Sequence, residues 1–343
     1  MVNSLRRRLL AALPAAAALP FISNEVRADA PRLRFATLLP RGSLYHRVLL
    51  ELGQSWRRAE GTDATFTVFS DGVQGDEADT VRRMRIGQLS GAMISVVGLT
   101  EIEPGAAALQ YMPLMFRSWE EVDAVGQKLR PVLEQRIAER GFIVLYWGEA
   151  GWVRFFSKQP AVRPTDFQHL KIYSWSGSPD QVRLMRTLGY NPVVLQTADI
   201  LPGLQTGLID AVPLIASWAL AAQIDAVAPH MLDIHWAPVV GATVLTRKAW
   251  DGLSPAGQAA LKQAAQKATQ DLRAQRESGD AEAIEAMRKR GLKVHTLDAA
   301  TQTEWQQLVL KSYPSIRGTM VPADTFDTVQ QTLAEFRGPR AAQ

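Results

Sequence analysis

The stretch DFQHLKIYSWSGSPDQVRLMRTLGYNPVVLQTADILPGLQTGLIDA, from Asp166 to Ala211, reads as strand, helix, strand, helix, strand. Ser178 and Pro179 suit a helix start: a capping hydroxyl satisfies a free backbone N–H, and proline in the first turn has none to leave unpaired. Gly189 suits the end of that helix, where a left-handed residue is needed. Thr197 can cap a second short helix that closes at Gly207. Strands alternating with helices at this spacing predict an α/β fold.

The same alternation continues to either side. Upstream, LRFATLL (33–39), ATFTVFS (64–70) and LSGAMISVV (89–97) read as strands, the last as a buried parallel one. A helix is expected from about Ser43 to Glu60. Another ends at Gly87, with Asp76 and Asp79 placed to form a capping box. YMPLMFRSWEEVDAV (111–125) leads into a helix reaching about Arg140, followed by a strand at FIVLYW (142–147). EAGWVRFFSKQP (149–160) then reads as a crossover into a second domain. Downstream, strands are expected at 231–236 and 240–246, the second returning to the first sheet. Ser254-Pro255 opens a helical pattern to about Arg290, roughly 54 Å at ~1.5 Å per residue and too long for one lobe. Residues 298–337 are helical in pattern.

A chain of 343 residues, 47% of them hydrophobic, can build one or two ordinary cores. It has no cysteine, so no disulfide or thiol chemistry is available to it. Arg6, Arg7 and Arg8 precede an apolar run from Leu9 to Ile22, and Val26-Arg27-Ala28 offers a cleavage site. This pattern predicts an export signal over residues 1–28, of either the general or the twin-arginine kind. Its apolar run is too short to cross a hydrocarbon core of ~30 Å. The signal carries four arginines and one glutamate, so its loss lowers the net charge from +4 to +1. No basic surface remains to suggest nucleic acid as a partner.

Catalytic motifs are missing. His46, His169, His230, His235 and His295 show no paired metal spacing, and no nucleophile elbow, P-loop or dinucleotide fingerprint occurs. SWSG (174–177) is rich in hydroxyls but has no evident base beside it. No catalytic residue, metal or cofactor is expected, which sets an enzyme behind a binding protein.

Three pieces of the opening stretch carry a resemblance: DFQHLKIY (166–173), LGYNPV (188–193) and LQTGLIDA (204–211). Together with GVQGDEADTVRRMRIGQL (72–89), PLMFRSWEEV (113–122) and LTRKAWDGLSPAGQAAL (245–261), they resemble the solute-binding subunits of tripartite ATP-independent periplasmic (TRAP) transporters. The resemblance implies a two-lobe periplasmic-binding-protein-like α/β fold with the long helix bridging both lobes. It implies lobe I from 29–150 plus 238–278, lobe II from 151–237 plus 279–337, and a disordered tail at 338–343. The partners implied are a small-molecule solute and membrane permease subunits, in the periplasm. The chain itself would be a monomer or a homodimer.

The resemblance also implies a ligand cleft between the lobes, and here the chain departs from the family. The arginine that commonly ends the L-K-I-R strand is Tyr173, and the arginine of a G-x-R segment aligns with Val153, leaving Arg154 one residue late. A one-residue offset turns a strand side chain to the opposite face, so Arg154 reaches the cleft only through a bulge or a slipped register. Lys171 is expected to face solvent. Ser95 stands where some members carry a glutamate, and Leu214 lies where an acid or amide is usual. Tyr173, Trp175, Trp152, Val153, Arg154, Ser95, Leu214, Trp218 and Trp236 are therefore the expected ligand contacts. Their character predicts an aromatic or apolar solute, with or without a carboxylate. The rivals are a sensor reporting to a membrane receptor, a small-carboxylate binder using Arg154, and an enzyme.

Overall fold

The structure, a computed structural model, describes residues 31–61, 63–175 and 179–338. The expected export signal, the Ser178 cap and the tail beyond Gly338 lie outside the described residues. The chain opens with β1 (Arg32–Ala36), α1 (Leu44–Glu60), β2 (Thr65–Phe69), α2 (Glu77–Arg85), β3 (Gly91–Ser95) and α3 (Val96–Thr100). Next come α4 (Trp119–Glu139), β4 (Phe142–Ser157), α5 (Pro164–Phe167), β5 (Lys171–Trp175), α6 (Pro179–Thr187) and β6 (Asn191–Leu195). They are followed by α7 (Ile200–Thr206), β7 (Ala211–Ile215), α8 (Ala216–Ala221), β8 (His230–Leu232) and β9 (Pro238–Thr246). The chain closes with α9 (Arg247–Asp251), α10 (Pro255–Lys289), β10 (Lys293–His295), α11 (Ala299–Ile316) and α12 (Ala323–Arg337).

Two twisted sheets result, in the order β2-β1-β3-β9-β4 and then β4-β7-β5-β6, with β8 and β10 at the side of the second. The opening stretch of sequence becomes β5, α6, β6, α7 and β7, with β5 parallel to both of its neighbours. Gly189 and Gly207 hold φ of 82° and 73°, the left-handed turn expected at each helix end. The capping box expected at Asp76 is not formed. The Asp76 side chain makes no cap bond, and Asp79 instead pairs with Arg82 one turn on, at 2.6 Å.

Two expected strands change length. FIVLYW does not stop at Trp147. β4 runs on to Ser157, pairing with β9 through Trp152 and with β7 from Val153 onward. Register shifts between Val144 and Tyr146 and between Glu149 and Gly151 bend it without ending it. Gly151 is essential to this bend: its φ is 137°, and a Cβ there would lie 2.6 Å from Asp280 Oδ1. β9 is the second strand shared by the long β4 ladder, and Gly241 lets it approach β3 so closely that a Cβ would sit 2.5 Å from the Ile94 carbonyl. The strand expected at 231–236 is shorter and begins one residue earlier, as β8 (His230–Leu232), and Asp233 just beyond it pairs with Arg154.

The long helix forms as expected, over 35 residues. Ser254 caps it, its Oγ accepting from Gly257 N at 2.9 Å. Leu261, Ala265, Ala268 and Leu272 pack into the core of the first sheet with Leu49, Leu52 and Trp56. Ala283 and Met287 pack into the core of the second with Ile224 and Met231. One helix thus ties both sheets together. α12, which the sequence assigned to the second lobe, packs instead on α4: Phe326, Val329 and Leu333 share a core with Leu129, Leu133 and Ile137. Among the described residues, no helix is long and apolar enough to cross a membrane.

Candidate functional site

The C-terminal ends of the parallel strands in both sheets face a common cavity of about 210 Å³. Such strand ends are where open α/β sheets place their ligands, because loops there are free to vary on a fixed frame. The loop after β1 contributes Thr37, and the β3–α3 junction contributes Ser95. β5 contributes Tyr173 and Trp175, and β7 with α8 contributes Leu214 and Trp218. Val153 reaches it from β4. Among the described residues no lysine, arginine or histidine lines it, and Glu77 is the one carboxylate that does.

Glu77 is held from the β3–α3 junction. Its Oε1 accepts from Ser95 N, and its Oε2 accepts from Ser95 Oγ and Gly98 N, each at 2.7 Å. Burial pushes its carboxyl above the usual glutamate range, while the Ser95 and Gly98 donors hold it back and nearby Asp76 pushes further up. Ser95 also caps α3, its Oγ accepting from Val97 N at 3.1 Å. Tyr173 is 7% exposed, and burial raises its phenol well above its ordinary value, with the Thr197 hydroxyl as its hydrogen-bonding partner. At neutral pH it presents a neutral ring and hydroxyl.

Two expected contacts face elsewhere. Because side chains alternate along a strand, Val153 points at the cavity and its neighbours Trp152 and Arg154 point away. Arg154 is 5% exposed, donating from Nε to Asp233 Oδ1 at 2.8 Å and from Nη1 to Asp280 Oδ2 at 2.7 Å. Burial works against its charge, but Asp280 and Asp233 more than offset that and raise its pKa. Trp152 stacks on His235 with ring centroids 4.8 Å apart and 7° between planes, and meets Trp119 at 4.8 Å. Lys171 donates to the Gly207 carbonyl and lies 3.8 Å from Asp210, with its side chain 42% exposed. Neither cation enters the gap beside Tyr173. Trp236 borders a neighbouring cavity of about 230 Å³, whose walls include Val153, Tyr173 and Trp175 as well.

Sequence reasoning missed Glu77 and took Thr197 only as a helix cap. The sequence DGVQGDE marks a turn and a helix start, and nothing in it distinguishes an acid that folds inward from one that caps. Among the described residues no group of three or more histidine, aspartate or glutamate side chains is arranged to hold a metal ion.

The sequence model of the family described as bacterial extracellular solute-binding protein, family 7, matches residues 35–318, and the chain belongs to that family. It is 27% identical over 233 residues to the 2,3-diketo-L-gulonate-binding periplasmic protein YiaO of Escherichia coli, covering 67% of this chain and 70% of that one. It is 22% identical over 226 residues to the C4-dicarboxylate-binding periplasmic protein DctP of Rhodobacter capsulatus, covering 65% and 67%. A TRAP periplasmic solute-binding protein of Sulfurospirillum deleyianum with bound succinate shares the fold, with a TM-score of 0.80 at 18% identity over 88% of this chain and 99% of that one. The chain is thus a two-lobe α/β solute-binding protein, a receptor and not an enzyme.

Proposed function

We propose that this chain works in the periplasm as the solute-binding subunit of a TRAP-type transporter, capturing a small, largely apolar organic ligand between its two sheets and passing it to the membrane permease. Lobe I would comprise the sheet from β2 to β9 with α12 added, and lobe II the sheet from β7 to β6. Tyr173, Trp175, Val153, Leu214 and Trp218 would contact the ligand, with Ser95 acting through Glu77.

The observation that carries this reading is the cavity wall, which among the described residues combines aromatic and aliphatic side chains with one buried acid and no cation. Enclosing ~200 Å² of apolar ligand surface contributes about 5 kcal/mol. A carboxylate enclosed there would meet neutral donors such as Gln110 and Trp175 but no cation among the described lining residues to offset its desolvation. The relatives named for diketogulonate and C4-dicarboxylates support the role of solute capture, and this wall argues for a different cargo. Intrinsic tryptophan fluorescence titration, with succinate and D-glucuronate set against 2-naphthol and phenyl ketones, tests the reading. Tight binding of the apolar probes alone is expected. Tight binding of succinate with no response to the apolar set would overturn it.

A further inference from the structure

We infer that the ligand site continues into a second chamber beside β5, and that the ligand is an elongated, uncharged molecule whose far end carries a carbonyl or hydroxyl oxygen. The inference rests on the capture role just proposed and extends it to the shape and chemistry of the cargo.

The second chamber, about 230 Å³, lies between β5 and the helices α6 and α11, with Tyr111 and Pro113 also on its wall. Its walls include Phe155, Phe167, Met185, Trp236 and Trp305. It meets the first cavity at Val97, Gln110, Val153, Tyr173, Trp175 and Pro213, which border both. Those side chains are the partition, and a molecule threading past the end of β5 touches both chambers.

Three polar atoms mark what the far end should be. Ser174 Oγ, Trp175 Nε1 and Tyr190 OH are buried at this chamber without a hydrogen-bond partner among the described residues. Ser174 is only 3% exposed, so water at the surface does not serve it. Buried donors left unpaired are costly to a fold, and a ligand that accepts their hydrogen bonds removes that cost. All three are neutral. Burial pushes the Tyr190 phenol up to about 12, which keeps its proton in place at neutral pH. Among the described residues no lysine or arginine lines the chamber, so a neutral oxygen suits it better than an anion.

The test uses the mature chain and a series of methyl ketones with a phenyl ring at the opposite end, from 4-phenylbutan-2-one to 9-phenylnonan-2-one, titrated by fluorescence. Affinity should rise about threefold to fourfold per added methylene while chamber remains to be filled. In Met185→Trp, which fills the second chamber, the gain from short to long ketones should collapse toward one. Leu184→Phe serves the same purpose should that variant fail to fold. Tyr190→Phe should lower the preference for a ketone over the matching alkylbenzene by about fivefold. If the gain with length stops early, or persists unchanged in Met185→Trp, the second chamber plays no part, while the capture of apolar solutes stands. An unchanged ketone preference in Tyr190→Phe removes the polar end. If no ketone binds and succinate does, the inference falls together with the function it rests on.

Discussion

Glu77 shows how one buried side chain sets the tone of a cavity. Three donors from Ser95 and Gly98 hold it, yet burial outweighs them and its proton is bound more tightly in the folded state than in the unfolded one. Its contribution to stability is therefore complete below the ordinary glutamate range, near pH 4.5, and is lost as pH rises through the higher folded value. Glu77→Gln keeps the shape and removes the titration. Urea unfolding of both proteins from pH 4 to pH 8 should show the wild type losing stability relative to the variant as pH rises. A constant difference across that range would mean that Glu77 titrates normally. Arg154 gives a second case: Asp280, with a side chain 7% exposed, binds it more deeply than Asp233, at 35%. Removing the deeper partner strands a buried charge, so Asp280→Ala should cost about 3 kcal/mol and Asp233→Ala clearly less, read from urea midpoints.

At the level of elements, the chain's punctuation was legible where it is local. Ser254-Pro255, the long run without a further proline and the glycine ends at 189 and 207 each marked a boundary that the backbone keeps. Ser254→Ala should cost about 1 kcal/mol of stability by thermal melting, the ordinary worth of a capping hydroxyl. The course of β4 was not legible. The sequence reads 149–160 as a crossover after FIVLYW, although a glycine such as Gly151 can equally mark a bulge within a strand, and only the pairing with β9 decides between them. Gly151→Ala should therefore do more than trim a loop. With φ at 137° and Asp280 in the way, a loss of about 1–3 kcal/mol is expected on melting. α12 was visible as a helix but not as a neighbour of α4, since its apolar face says that it packs and not against what.

For the whole molecule, the family was legible from short motifs in their order, and the matched residues 35–318 agree with it. The site was legible only in part. Tyr173, Trp175, Val153, Leu214, Trp218 and Ser95 line one cavity, whereas Trp152 and Arg154 lie behind it, because a strand's alternation is fixed by its register and not by its composition. If the two sheets close on the ligand, as the capture role requires, small-angle scattering should show a smaller radius of gyration at saturation with 9-phenylnonan-2-one than without it. An unchanged radius would point to a site already shut. α10 sits in both cores and resists sliding, so closure is expected as a rotation about the bend in β4.

That bend has a practical corollary for anyone engineering the molecule. Because β4 donates its first part to one sheet and its last residues to the other, and α10 is rooted in both, the halves are not modules that can be traded between relatives. A chimera joined at Gly151 would set the first part of β4 from one parent against β9 and α10 from the other, and should go insoluble where a splice through surface turns would not.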